Sequence, residues 1–207
     1  MLVLAVDAGF SNTGYALLDG AGGIVELRVI RTKATGKVHS VRKMDDDGER
    51  CKYIAAELAK LFKDGTSAIR PVRAVVCEFP TGGALSARAL RCMALVTGVI
   101  VAVTECYGVP LVPVAPDQTK RLTGRLNASK QEIQSLVENH WPELRSRPDW
   151  FRMPACEKEH VADALGAYLA AQKDPLLRFI RAEEKRPPRE SMSMIGPAFA
   201  LGQEPHE

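Results

Sequence analysis

The chain has 207 residues, 46% hydrophobic and 26% charged, with a formal net charge of +3. This is the composition of a globular protein long enough to bury a core without disulfides or a structural metal. A polybasic protein is excluded, but the acidic balance from Glu183 onward leaves a mildly basic body, compatible with a nucleic-acid partner.

Leu2 to Val6 is a continuous apolar run, as expected of a central strand buried on both faces. A turn at Gly9 and Ser11-Asn12 leads to a second strand, Thr13 to Leu18. Asp19-Gly20 and Gly22-Gly23 form another turn before a third strand, Ile24 to Thr32. Strands joined by such short turns are antiparallel neighbours. Lys33 to Gly48 reads as a polar loop. Cys51, Ile54, Ala55, Leu58, Leu61 and Phe62 then recur at helical spacing, and Asp64-Gly65 ends that helix. Arg73 to Glu78 is a fourth strand, and a helix from about Ala84 to Tyr107 follows. Its second half is apolar nearly all round, so it is expected to be covered on more than one side, by the core or by a second subunit. Pro110 to Val114 is a fifth strand. Ser129-Lys-Gln-Glu132 is a capping box opening a helix that Pro142 stops. Trp141 to Ala155 reads as irregular, with its aromatics Trp141, Trp150 and Phe151 expected to pack rather than to stack on bases. A last long helix covers Glu157 to Ala171, and a short one Leu176 to Ala182.

This order predicts an α/β fold: a mixed five-stranded sheet, three antiparallel strands followed by alternating helices and strands, with helices on both faces. One domain is expected over residues 1–182, followed by a disordered tail over 183–207. The five cysteines show no paired spacing, which predicts reduced thiols and a cytoplasmic setting. MLVLAVDAG lacks a basic leader and a cleavage site, so no signal peptide is expected. The longest apolar stretch, Cys92 to Thr104, falls short of the ~18–20 residues of a membrane span, and none is expected.

Four residues stand out chemically. Asp7 follows the first strand, Glu78 closes the fourth, and His160 and Asp163 share one face of the last long helix. Singly, each has an ordinary explanation: a turn aspartate, a strand end reaching water, a satisfied histidine, a solvated helix face. If the fourth strand lies parallel to the first, Asp7 and Glu78 come side by side, and the helix can bring in the other two. Three acids and an imidazole at one point call for one divalent cation, or two about 4 Å apart, the arrangement that serves phosphodiester hydrolysis. Carboxylate oxygens suit Mg²⁺, and an imidazole also accommodates Mn²⁺. Lys120, Arg121, Arg125 and Lys130 form a basic cluster around a turn and a helix start, where phosphate is favoured. Arg31 and Lys33 extend a possible backbone footprint. Cys156 and His160 at C-x₃-H lack the two further ligands of a zinc site.

The segments VDAGFSNTGYALLD, IRTK, CEFP, TKRLTGRLNASKQEIQSLV and HVADALGAYLA, in this order, resemble the RuvC-type Holliday-junction resolvases over roughly residues 1–172. The resemblance implies a ribonuclease-H-like fold and a homodimer that binds four-way DNA junctions. It also implies Mg²⁺- or Mn²⁺-dependent cutting of two strands, with two ions per site. It makes Asp7, Glu78, His160 and Asp163 the metal and catalytic set, with His160 either ligating metal or assisting the attacking water. It makes Lys120 and Lys130 DNA-contacting lysines. Many members carry Asp where this chain has His160, so some Mn²⁺ tolerance or preference is expected. The chain departs from the family in the loop FPTGGALSAR after Glu78, which lacks the aromatic wedge found there in many members; Phe79 is expected to point into the core. A nuclease of broader specificity for flaps, forks and three-way junctions is therefore the alternative, and a non-catalytic junction-binding protein a more remote one. DAGFSNTGYAL also resembles the phosphate hairpin of actin-like ATPases, but the second domain those proteins need has no counterpart in this chain. Whether a branch-migration motor is a partner is not legible in the sequence.

Overall fold

The structure is a computed structural model that describes residues 1–35, 42–63, 71–80 and 86–184. The Asp64-Gly65 helix stop, most of the loop after Glu78 and the tail from 185 lie outside the described residues.

Five strands form one sheet: β1 (Leu2–Asp7), β2 (Asn12–Asp19), β3 (Ile24–Arg31), β4 (Val72–Glu78) and β5 (Leu111–Val114). Their order is β3-β2-β1-β4-β5. The first three pair antiparallel, and β4 and β5 add in parallel on the other side of β1. The apolar run of β1 is thus the central strand, and the sheet is the mixed one expected. Parity sorts its side chains. Leu2, Leu4 and Val6 of β1 and Val75 and Cys77 of β4 belong to one hydrophobic cluster, covered by α1 (Lys43–Lys63) and α2 (Ala87–Cys106). Val3 and Ala5, with Ala74 and Val76, belong to the other, covered by α4 (Lys130–His140), α6 (Ala155–Ala170) and α7 (Pro175–Glu184).

Two short helices complete the order, α3 (Pro116–Arg121) and α5 (Pro148–Phe151), the latter preceded by a 3₁₀ turn over Pro142–Ser146. Neither is expected from periodicity: six and four residues hold too few turns for a pattern. Pro at the first helical position is the signal both carry. Trp141 and Trp150 are buried here, as expected, whereas Phe151 is 73% exposed.

One further expectation needs correction. Helix α1 begins at Lys43, inside the stretch read as loop. Its buried stripe is Asp47, Arg50, Ile54 and Leu58, so the helical period continues upstream in charged residues that a hydrophobic count passes over. Helix α2 is not covered on several sides within one chain. Only Val96, Ile100 and Thr104 are buried, and Leu90 and Val101 are exposed. By length and composition α2 is apolar enough to cross a membrane, unlike the shorter stretch counted in the sequence, but its buried stripe packs on the sheet beside α1.

Helix α6 lies directly across β1 and β2 because small residues let it. A Cβ on Gly14 of β2 would stand 2.4 Å from the His160 carbonyl carbon and 2.5 Å from its oxygen. Gly14→Ala is therefore expected to force α6 off the sheet, at about 1–3 kcal/mol for an overpacked site. Calorimetry should show the Tm lowered by roughly 2–12 °C; an unchanged Tm would contradict this seating of α6.

Candidate active site

Strand parity and register build the site. Asp7 follows Val3 and Ala5 on the α6 face of β1, and Glu78 follows Ala74 and Val76 on the same face of β4. The two carboxylates occupy facing register positions on adjacent parallel strands. A slip of one residue would turn either to the opposite face. Phe79 continues β4 on that opposite face, where it packs against the α1–α2 cluster as expected. Helix α6 delivers His160 and Asp163, and the four residues line one cleft of about 330 Å³ with Thr119, Lys120 and Lys130.

Each acid has a specific partner. His160 Nδ1 and Asp7 Oδ2 share a hydrogen bond of 2.6 Å. Thr119 Oγ1 donates to Glu78 Oε2 at 3.1 Å. Lys130 Nζ donates to Asp163 Oδ2 at 3.1 Å and lies 3.5 Å from Glu159 Oε2. Lys130 reaches this position because Ser129 and Glu132 form the capping box that starts α4, with Glu132 N–H donating to Ser129 Oγ and Ser129 N–H to Glu132 Oε2.

The electrostatics report crowded negative charge. Burial, then the Asp163 and Asp7 charges, push the Glu78 carboxyl up to about 7. Burial and then Asp7 raise the Asp163 carboxyl. The hydrogen bond to Asp7 raises the His160 imidazole. Burial alone would lower the Lys130 ammonium, but Asp163 and Glu159 hold it above its ordinary range.

A hard cation suits this donor set: carboxylate oxygens with one imidazole, at a point where burial and neighbouring charge raise the Glu78 and Asp163 carboxyls and a lysine ammonium stands in as counter-charge. The residues are not drawn into a closed shell. Among the described residues, no three His, Cys, Asp or Glu side chains are grouped as a ready-made metal site. Asp7, Glu78, His160 and Asp163 would have to turn toward the ion, and Lys130 away from it.

The other basic residues singled out in the sequence are dispersed. Lys120 lines the cleft from α3. Arg121 is exposed beside it. Arg125 pairs with Glu132 at 3.0 Å. Arg31 pairs with Glu157 at the start of α6, and Lys33 is exposed beyond the end of β3. Thr119 and Glu159 escape a sequence reading, because one hydroxyl and one more acid beside known candidates carry no pattern of their own. Their adjacency to Lys120 and His160 is the only signal.

Comparison with known proteins gives the family. No protein-family model matches the chain. The crossover junction endodeoxyribonuclease RuvC of Synechococcus is 30% identical over an alignment of 156 residues that covers 72% of this chain and 90% of that protein. The fold is that of Thermus thermophilus RuvC, solved in complex with a Holliday junction substrate. There the TM-score is 0.60 at 19% identity, covering 82% of this chain and 95% of that one. A yeast mitochondrial Holliday junction resolvase matches with a TM-score of 0.51 at 12% identity, covering 87% and 83%. The sheet, with its helices on both faces, has the ribonuclease-H-like fold of these resolvases. The chain belongs to the RuvC family of crossover junction endodeoxyribonucleases.

The raised carboxyl of Glu78 sets a pH dependence. A group that holds its proton more tightly folded than unfolded adds stability below its unfolded pKa and loses it as pH rises through the folded value. Metal-free protein is therefore expected to lose stability between about pH 4.5 and about pH 7. Glu78→Gln should flatten that part of the Tm–pH curve. A wild-type curve that rises over this window would contradict the assignment.

Proposed function

We propose that this chain is a metal-dependent endodeoxyribonuclease that resolves Holliday junctions by paired hydrolysis of two strands, acting in the cytoplasm. The observation that carries it is the convergence of Asp7 and Glu78, from facing strand ends, with His160 and Asp163 of α6. Asp7, Glu78, His160 and Asp163 would hold the ion or ions, two per site, with Mg²⁺ or Mn²⁺ serving. Bound there, the metal supplies a polarised water and positive charge at the scissile phosphate. One water adds across one P–O ester bond, leaving a hydroxyl and a phosphate monoester. Asp7 holds the His160 ring through Nδ1, which leaves Nε2 to face an ion or to exchange a proton with the attacking water. Lys120, on the cleft wall, is placed to neutralise the phosphate, and Lys130 joins it once released from Asp163. Arg121, Arg125, Arg31 and Lys33 follow the backbone further out.

Paired cuts require two sites. The exposed apolar residues of α2, Leu90 and Val101 among them, suit a second copy of the chain, and a symmetric dimer presents two clefts to one junction.

A second reading concerns specificity. Phe79 is partly buried against the α1–α2 side of the core, which draws it away from a wedging role between base pairs. This favours cutting of flaps, forks and three-way junctions as well as four-way ones. A nicking assay with labelled four-way, three-way, flap and linear substrates tests both readings. Asp7→Asn should cut the rate at least about 100-fold, the equivalent of about 2.7 kcal/mol of lost charge stabilisation, with junction binding kept. Symmetric cuts confined to four-way junctions support strict resolution, and cuts in every branched form support the broader activity. Full cutting by Asp7→Asn would contradict the site.

A further inference from the structure

The turn that carries Asp7 is gripped from the opposite face of the sheet by a buried guanidinium. Arg50 projects from α1, its side chain only 7% exposed. Its Nη2 donates to Ser11 Oγ at 3.0 Å and to the Phe10 carbonyl at 3.3 Å, and its Nε donates to Thr32 Oγ1 at 3.0 Å. The guanidinium also lies over the Phe10 ring, 4.1 Å from its centroid. Thr32 returns the contact, its Oγ1 donating to the Phe10 carbonyl at 2.6 Å and its N–H to the Ser11 carbonyl at 2.9 Å. Every partner of Arg50 in this web belongs to the segment between Asp7 and β2 or to the end of β3.

That segment has little room. Gly9 N–H donates to the Asp7 carbonyl at 2.9 Å. A Cβ on Gly9 would stand 2.1 Å from the Asn12 carbonyl oxygen and 3.6 Å from His160 Cε1. The turn is thus held between α6 on one face and Arg50 on the other. Arg50 is held in turn: Asp47, one turn earlier on α1 and also buried, lies 3.8 Å from its Nη1 and pairs with Arg91 of α2. A buried ion-pair cluster is a costly way to join two helices to a sheet when apolar side chains would serve as well. Its planar fork of donors does what they cannot: it fixes the path of a backbone turn.

We propose that Arg50 is a positioning residue for the active site, acting through Phe10, Ser11 and Thr32 to fix where Asp7 presents its carboxylate, with Asp47 and Arg91 as its anchors. This rests on the nuclease reading for its kinetic consequence but not for its effect on cation binding. Arg50→Lys keeps the positive charge beside Asp47 and loses the fork. Its single-turnover cleavage of a four-way junction is expected to fall at least about tenfold, as misplaced reacting groups do. Its calorimetric affinity for Mn²⁺ should fall at least about fivefold, because the Asp7 ligand is no longer preset. Junction affinity measured without metal should stay within about twofold, since no phosphate contact is altered. Lys52→Met, an exposed change on the same helix whose partner is Glu49, is the control and should move none of these.

A purely structural role would lower the Tm and leave the rate per folded molecule and the Mn²⁺ affinity unchanged; either quantity staying at the wild-type value overturns the proposal. If Arg50→Lys melts below the assay temperature, Thr32→Val carries the same test against Thr32→Ser, which keeps the hydroxyl and should behave as wild type. A wild-type chain that binds Mn²⁺ but cuts no branched DNA overturns the nuclease reading instead. The Mn²⁺ comparison between wild type and Arg50→Lys then decides the Arg50 assignment by itself.

Discussion

Two carboxylates at facing positions of adjacent parallel strands repel each other, and much of the surrounding structure answers that repulsion at Asp7 and Glu78. Thr119 donates to one and the His160 ring bonds to the other, while Lys130 reaches across from the start of α4 to Asp163. These contacts reduce the conflict without removing it, since the Glu78 carboxyl stays pushed up to about 7. An apolar pair at these two strand ends would give a more stable sheet. Keeping the acids there costs stability, as functional sites commonly do.

The backbone meets the geometric demand with very little. Gly14 lets α6 approach β2 until His160 reaches Asp7, and Gly166 lets α3 and α4 close on α6, bringing Thr119 near Glu78. On the far face Arg50 fixes the turn after Asp7. The site is therefore assembled from both sides of one sheet edge. The sequence separation of its parts, from position 7 to position 163, reflects the topology that brings the ends of β1 and β4 together.

The parts of this arrangement legible in the sequence are those with strong local patterns. The apolar run of β1 announces a central strand, the capping box at Ser129 announces α4, and an acid at the end of each of two strands announces a shared edge. What escapes has a physical reason in each case. The first two turns of α1 are hidden because their buried positions are Asp47 and Arg50, and a buried ion pair looks like surface to any count of apolar residues. Helix α3 is too short to show a period, so Thr119 is invisible as a partner of Glu78. For α2 the sequence shows how much apolar surface wants burial but not whether the same chain provides it, and within one chain only one stripe of the helix is buried.

The claim on which the rest stands is that these four side chains form one cation site whose occupation releases Lys130. Titration of Mn²⁺ followed by electron paramagnetic resonance, in wild type and in Asp7→Asn, tests it without reference to any DNA. Saturable Mn²⁺ binding to the wild type is expected, weakened at least about tenfold by Asp7→Asn. Binding that is equally tight in both proteins, or absent from the wild type, would contradict it.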